Sequence, residues 1–209
     1  MDQNLIANIL SLSLFFVGLF VALRSFALYV QVRSNRLCIL GVSMTVIALT
    51  AAAGFAGDNV TTVTLNVDWF NYIGQTVSFI FILLSLVRSS EHYLRSVLRY
   101  QLLATVPLVI LLLLAPMLPP DFPNPVVTKT LLSGSRGVIC LFIFFYYTGA
   151  FMTKETRFSF LMSGAFLLLS FGYFTIMPKY AYPSDLLDHV GDLMRVSGLA
   201  SLLAAVVAG

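Results

Sequence analysis

Charge is what this 209-residue chain has least of. Asp, Glu, Lys and Arg make up 10% of it, against about 25% in an ordinary soluble domain. Hydrophobic residues reach 59% and the mean hydropathy is +0.93. So apolar a chain has too little polar surface to cover a water-exposed fold, which places it in lipid. The net charge of +3 does not point to nucleic acid, because the basic residues gather in alternate connections between hydrophobic segments.

Other scarcities remove whole chemistries. Cysteine occurs only at Cys38 and Cys140. Their depths along the second and fifth hydrophobic segments differ by on the order of 15 Å of helix rise, too far for a disulfide. Lysine occurs only at Lys129, Lys154 and Lys179, at segment ends or in loops, so the last segment offers no amine for a retinal Schiff base. The two histidines, His92 and His189, lie on opposite sides, separated by on the order of 29 Å of helix rise, which disfavours a bis-histidine haem. A zinc site would draw on Asp188, His189 and Asp192, but one helix cannot readily turn all three toward one ion, and Arg195 beside them repels a cation. Gly134-Ser135-Arg136-Gly137 is not a nucleophile elbow, and no histidine shares its face. The expectation is a protein without cofactor or metal that is not an enzyme.

What the chain has is length of hydrophobic run. About 20 apolar residues cross the hydrocarbon core, and seven stretches qualify, near 5–28, 37–56, 69–88, 100–118, 129–152, 157–177 and 186–208. The expected fold class is all-α: a polytopic seven-helix transmembrane bundle forming a single domain over 1–209. Pro119-Pro120-Asp121-Phe122-Pro123-Asn124-Pro125 ends the fourth helix, since such a run lacks the backbone donors lipid demands. Pro178 and Pro183 bound the connection after the sixth. Pro107 falls inside the fourth, where a kink and a freed carbonyl satisfied by a neighbour are expected. Asp2 and the long run from Leu5 read as a retained span, not a cleavable signal peptide.

Orientation follows from basic residues. Arg24, Arg33, Arg36, Arg88, Arg95, Arg99, Lys154 and Arg157 occupy the connections of one side, and only Lys129 and Lys179 those of the other. Cytoplasmic connections carry the Lys/Arg excess, so the N-terminus is expected outside and the C-terminus in the cytoplasm, with the plasma membrane as location. Trp69, Tyr72, Tyr173, Tyr180 and Tyr182 fall near the outer boundary, as aromatic belt residues do. Asn59-Val60-Thr61 matches a glycosylation sequon in an outer loop, a triplet common by chance. Arg88, Arg95 and Arg99 precede the fourth span at helical spacing, on an extension or interfacial segment suited to anionic headgroups. A cytoplasmic output domain or protein is the alternative partner there.

Small residues mark close helix contacts, since lipid supplies no hydrophobic drive between helices. The second helix, rich in Gly, Ala, Ser and Thr, is expected to be the most enclosed. Gly191, Gly198 and Ala205 form one stripe on the seventh.

A few charged groups lie inside the hydrophobic segments. A charge at the centre of a spanning helix costs roughly 2.5–3.5 kcal/mol on insertion scales, so such residues turn inward and find partners. Arg136 lies in the fifth segment, and Asp188, His189, Asp192 and Arg195 in the seventh, with Asp188, Asp192 and Arg195 at i, i+4, i+7 on one face. Counted inward from the outer boundary, Asn8, Gln75, Arg136, His189, Asp192 and Arg195 fall in one layer. The simplest arrangement pairs Arg136 with Asp192 and leaves Arg195 to a second acceptor. Either that pair only fixes helix register, or Arg136, Asp192, Arg195, His189, Gln75 and Asp188 line an outward pocket for a small anionic or amphipathic ligand. Phe166, Tyr173, Phe79 and Tyr72 could wall it.

Helix count and topology are similar to those of seven-helix receptor and sensory input modules, a likeness of architecture only. The function expected is a membrane sensor or receptor-like module. A small-solute transporter and an accessory subunit of a membrane complex are the alternatives.

Overall fold

The computed structural model describes residues 3–59, 66–118, 126–180 and 185–208, with side chains 3–7, 58, 179, 185, 188 and 208 left aside. Every described element is helical: α1 (Gln3–Val32), α2 (Asn35–Asn59), α3 (Asp68–Val87), α4 (Glu91–Leu114), α5 (Val126–Lys154), α6 (Arg157–Ile176) and α7 (Asp185–Ala208). Short 3-10 turns at Ala115–Met117 and Met177–Tyr180 follow α4 and α6. All seven α-helices contain stretches long and apolar enough to cross a membrane. Pro119 to Pro125, Val60, Thr61 and Tyr182 lie outside the described residues.

Two short reversals share one device. Arg33 and Glu155 adopt φ of 58° and 49°, and their amides close back on Tyr29 and Phe151 carbonyls at 2.8 and 2.7 Å. A left-handed residue just past a helix end captures an otherwise unpaired carbonyl and turns the chain sharply. Thr156 then caps α6 by accepting from the Ser159 amide, which supplies one of the acceptors a helix start lacks.

The chain forms two compact units, Gly18–Asn124 and Met1–Val17 with Pro125–Gly209. In the first, α2 packs on α3 and α4, and α1 approaches α2 closely: a Cβ added at Gly18 would sit 3.2 Å from the Met44 carbonyl and from Ala48 Cβ. Helix ends are tied by side chains, Asn35 donating to Glu91 and Arg36 to the Arg88 carbonyl. The fourth helix begins at Glu91, earlier than the hydropathy-based boundary near 100. Its first turns are no loose interfacial segment, because Leu94 and Val97 are buried against Ile39 and Phe81. Hydropathy undercounts this stretch because its outward face carries Arg95 and Arg99 while its inward face is apolar. The helix continues through Pro107, and Thr105 Oγ1 donates to the Leu102 carbonyl at 2.7 Å on the preceding turn.

In the other unit α6 packs against both α5 and α7. Its seam with α7 depends on glycine: a Cβ at Gly198 would lie 3.0 Å from the Ala165 carbonyl, and one at Gly191 would clash with the Ile176 side chain. The expected stripe of Gly191, Gly198 and Ala205 is therefore a packing face, with Ala205 fully buried. The most enclosed spans are α3 and α6, about half buried, and α2 falls slightly below them. Abundant small residues allow close approach, but how many neighbours surround a helix is set by the bundle.

Candidate functional site

The polar centre is built on α5, α6 and α7 around one aromatic ring. Tyr173 on α6 is 4% exposed, as is Arg136 on α5. The Arg136 guanidinium carbon stands 4.7 Å from the Tyr173 ring centroid, and that of Arg195, from α7, stands 5.8 Å away. Two cations thus share one ring. Each such contact contributes about 0.5–2 kcal/mol, more where water is excluded.

Hydrogen bonds across α5 and α6 place the ring. Ser133 Oγ donates to the Tyr173 carbonyl at 3.4 Å, and Ser170 Oγ to the Gly137 carbonyl at 2.8 Å. Arg136 Nε donates to the Leu132 carbonyl one turn back on α5, which swings its guanidinium along the helix. Arg195 reaches the ring because α7 approaches α6 at Gly172, where an added Cβ would come within 2.6 Å of Arg195 Cγ. Gly172 is therefore a positioning residue, holding the arginine stem against the α6 backbone.

Asp192, 7% exposed, forms its ion pair with Arg195 three residues on in the same helix. This corrects the expected Arg136–Asp192 pair across α5 and α7. The physical reason is local: residues at i and i+3 are already neighbours on a helix surface, so the pair forms without aligning two helices. Arg195 uses Nη2 for this bond, while its Nε is buried with no hydrogen-bond partner among the described residues. Its side chain keeps 20% of its area exposed and that of Asp192 10%. An approaching group could reach Arg195 more easily than Arg136.

The other expected site residues are placed as follows. His189 lies on α7, partly buried. Asp188 is within α7, but its side chain lies outside the described residues. Gln75 belongs to α3, in the other unit, where its Nε2 donates to Thr50 Oγ1 at 3.3 Å. Asn8 lies on α1, within the same unit as the centre. Of the expected wall residues, Tyr173 is central; Phe166 stacks on Tyr147 with 6.1 Å between centroids. Phe79 and Tyr72 are on α3.

Two features escaped sequence reasoning. Tyr173 figured as a wall and is the hub, and Gly172 was not singled out. Adjacent glycine and tyrosine in an apolar helix were the available signal, because one permits close approach and the other supplies a face. Among the described residues no group of three His, Cys, Asp or Glu side chains could hold a metal ion. Chemically, the centre offers charge-assisted donors for an anion and a π-face between them. No family model, curated protein or solved structure matches the chain.

Proposed function

We propose that the chain is a non-enzymatic, multi-pass membrane module of sensor or receptor type, whose α5–α6–α7 centre binds the anionic group of a small or amphipathic molecule. One observation carries this reading: two guanidinium groups face a single buried tyrosine ring, and Asp192 engages Arg195 through one nitrogen, leaving Nε unanswered. An acceptor arriving at Arg195 Nε completes a donor left bare in a low-dielectric site, where the gain is largest. Because the Arg195 stem lies against α6 at Gly172, a ligand that moves this side chain bears directly on the α6–α7 contact. A ligand acts as a signal only to the extent that it binds one arrangement better than another.

The charge distribution supports an outward N-terminus and a cytoplasmic C-terminus. Arg88, Arg95 and Arg99 are exposed, as contacts for anionic headgroups require. A transporter of a small solute is the second reading, favoured by the buried polar residues Ser43, Thr50, Ser78, Ser85 and Gln101 of the other unit.

Thermal unfolding of the detergent-purified protein with decanoate, decyl phosphate, decanol or decyltrimethylammonium tests the site. A ligand at 100 times its Kd stabilises by about 2.7 kcal/mol. The two anionic amphiphiles should raise Tm in the native chain and not in Arg195→Gln. Equal shifts with decanol, or shifts surviving Arg195→Gln, would refute an anion site at Arg195.

A further inference from the structure

The unit formed by Gly18–Asn124 holds a second polar constellation that the arginine centre does not use. Gln101 on α4 is 2% exposed, and Ser43 on α2 is fully buried. Gln101 Nε2 donates twice across the contact, to the Ile39 carbonyl at 3.1 Å and to Ser43 Oγ at 2.8 Å. Chemistry sets that orientation, because a carbonyl only accepts and the amide NH2 must face it. The amide oxygen, Oε1, is left buried with no donor among the described residues.

Ser43 shows the complementary lack. Thr45 and Thr76 donate their hydroxyls to carbonyls four residues back, a common outlet for a helical hydroxyl. Ser43 has no such bond; among the described residues it only accepts from Gln101. A free acceptor and a free donor therefore sit on two groups already 2.8 Å apart. Farther along α2, where it packs on α3, Asn71 Oδ1 is also buried with no donor among the described residues, its amide nitrogen lying over Gly54. Between these two places Gln75 bonds Thr50, and Ser78 is buried.

We propose that this seam is hydrated, and that one water bridges Gln101 and Ser43, accepting from the serine hydroxyl and donating to Gln101 Oε1. The occupant is small, because the helices already touch through a direct hydrogen bond. It is neutral, because both groups are neutral and Ile39, whose carbonyl Gln101 bonds, belongs to an apolar cluster with Phe81, Leu94 and Val97. A molecule that gives one hydrogen bond and takes one meets both needs, and buried waters occupy such sites. The seam stands whether or not the arginine centre binds a ligand.

Synchrotron radiolysis of the intact protein in nanodiscs tests this, because hydroxyl radicals born from a trapped water oxidise the side chains around it. Leu94 and Val97 are shielded from bulk radicals, and Leu202 on α7 is a comparably buried control. Mass spectrometry should show Leu94 oxidised several-fold faster than Leu202, with Val97 also labelled, and the excess at Leu94 should disappear in Gln101→Met and in Ser43→Ala. Should Gln101→Met fail to fold, the smaller Ser43→Ala change decides. Equal rates at Leu94 and Leu202 in the native chain would overturn the proposal, as would an excess unchanged by the substitutions.

Discussion

Replacing Asp192 by Asn removes the carboxylate that Arg195 holds and leaves a guanidinium facing a neutral amide. Breaking a fully buried pair costs about 3–5 kcal/mol, and an exposed one contributes about 0–1 kcal/mol. With side chains 10% and 20% exposed, this pair stands near the buried limit. Two effects soften the loss: Arg195 keeps its contact with the Tyr173 ring, and the asparagine carbonyl still accepts a neutral hydrogen bond. An expected cost of about 2 kcal/mol follows, between those limits. For a chain of this size that corresponds to a fall in Tm of about 4–8 °C. The assay is thermal unfolding in detergent of Asp192→Asn, Arg195→Gln, Arg136→Gln and the two doubles that contain Asp192→Asn. Geometry predicts a coupling above about 1 kcal/mol for Asp192 with Arg195, and less than half of it for Asp192 with Arg136. If the Arg136 coupling were the larger, the carboxylate would belong to α5, and the ion pair within α7 would be refuted.

Helix packing and orientation yield two further outcomes. Gly198→Ala, whose new methyl would meet the Ala165 carbonyl and Leu169, should lose about 1–3 kcal/mol through overpacking. Gly149→Ala, with nothing within 4 Å, should gain up to about 1 kcal/mol from helix propensity; urea or SDS titration in mixed micelles distinguishes them, and equal effects would contradict the α6–α7 contact. For orientation, a cysteine at Ser90 in a chain lacking Cys38 and Cys140 should react with an impermeant maleimide only after permeabilisation, and one at Asn59 in intact cells. The reverse pattern would invert the proposed topology.

Hydropathy alone made seven helices legible, because a chain in lipid must satisfy its backbone within each apolar run. The extra turns at the start of α4 were blurred by Arg95 and Arg99, whose charges lower the average although Leu94 and Val97 face inward. Arg136, Asp192 and Arg195 stood out because charge inside an apolar segment is costly enough to be rare. Gln101 did not, since an uncharged amide in a long hydrophobic stretch changes the average very little.

From residue order come the helices, their approximate ends and the segments that hold ionised groups, all properties of a single strand of chain. Only three-dimensional packing determined that Tyr173 stands beneath two guanidiniums, and that Gln101 meets Ser43 with one oxygen to spare. Those choices turn on helix rotation, on glycine-permitted approach within a few ångströms and on which rotamer a neighbour leaves free. No count along the sequence contains them, because each is decided by side chains that are neighbours only after folding.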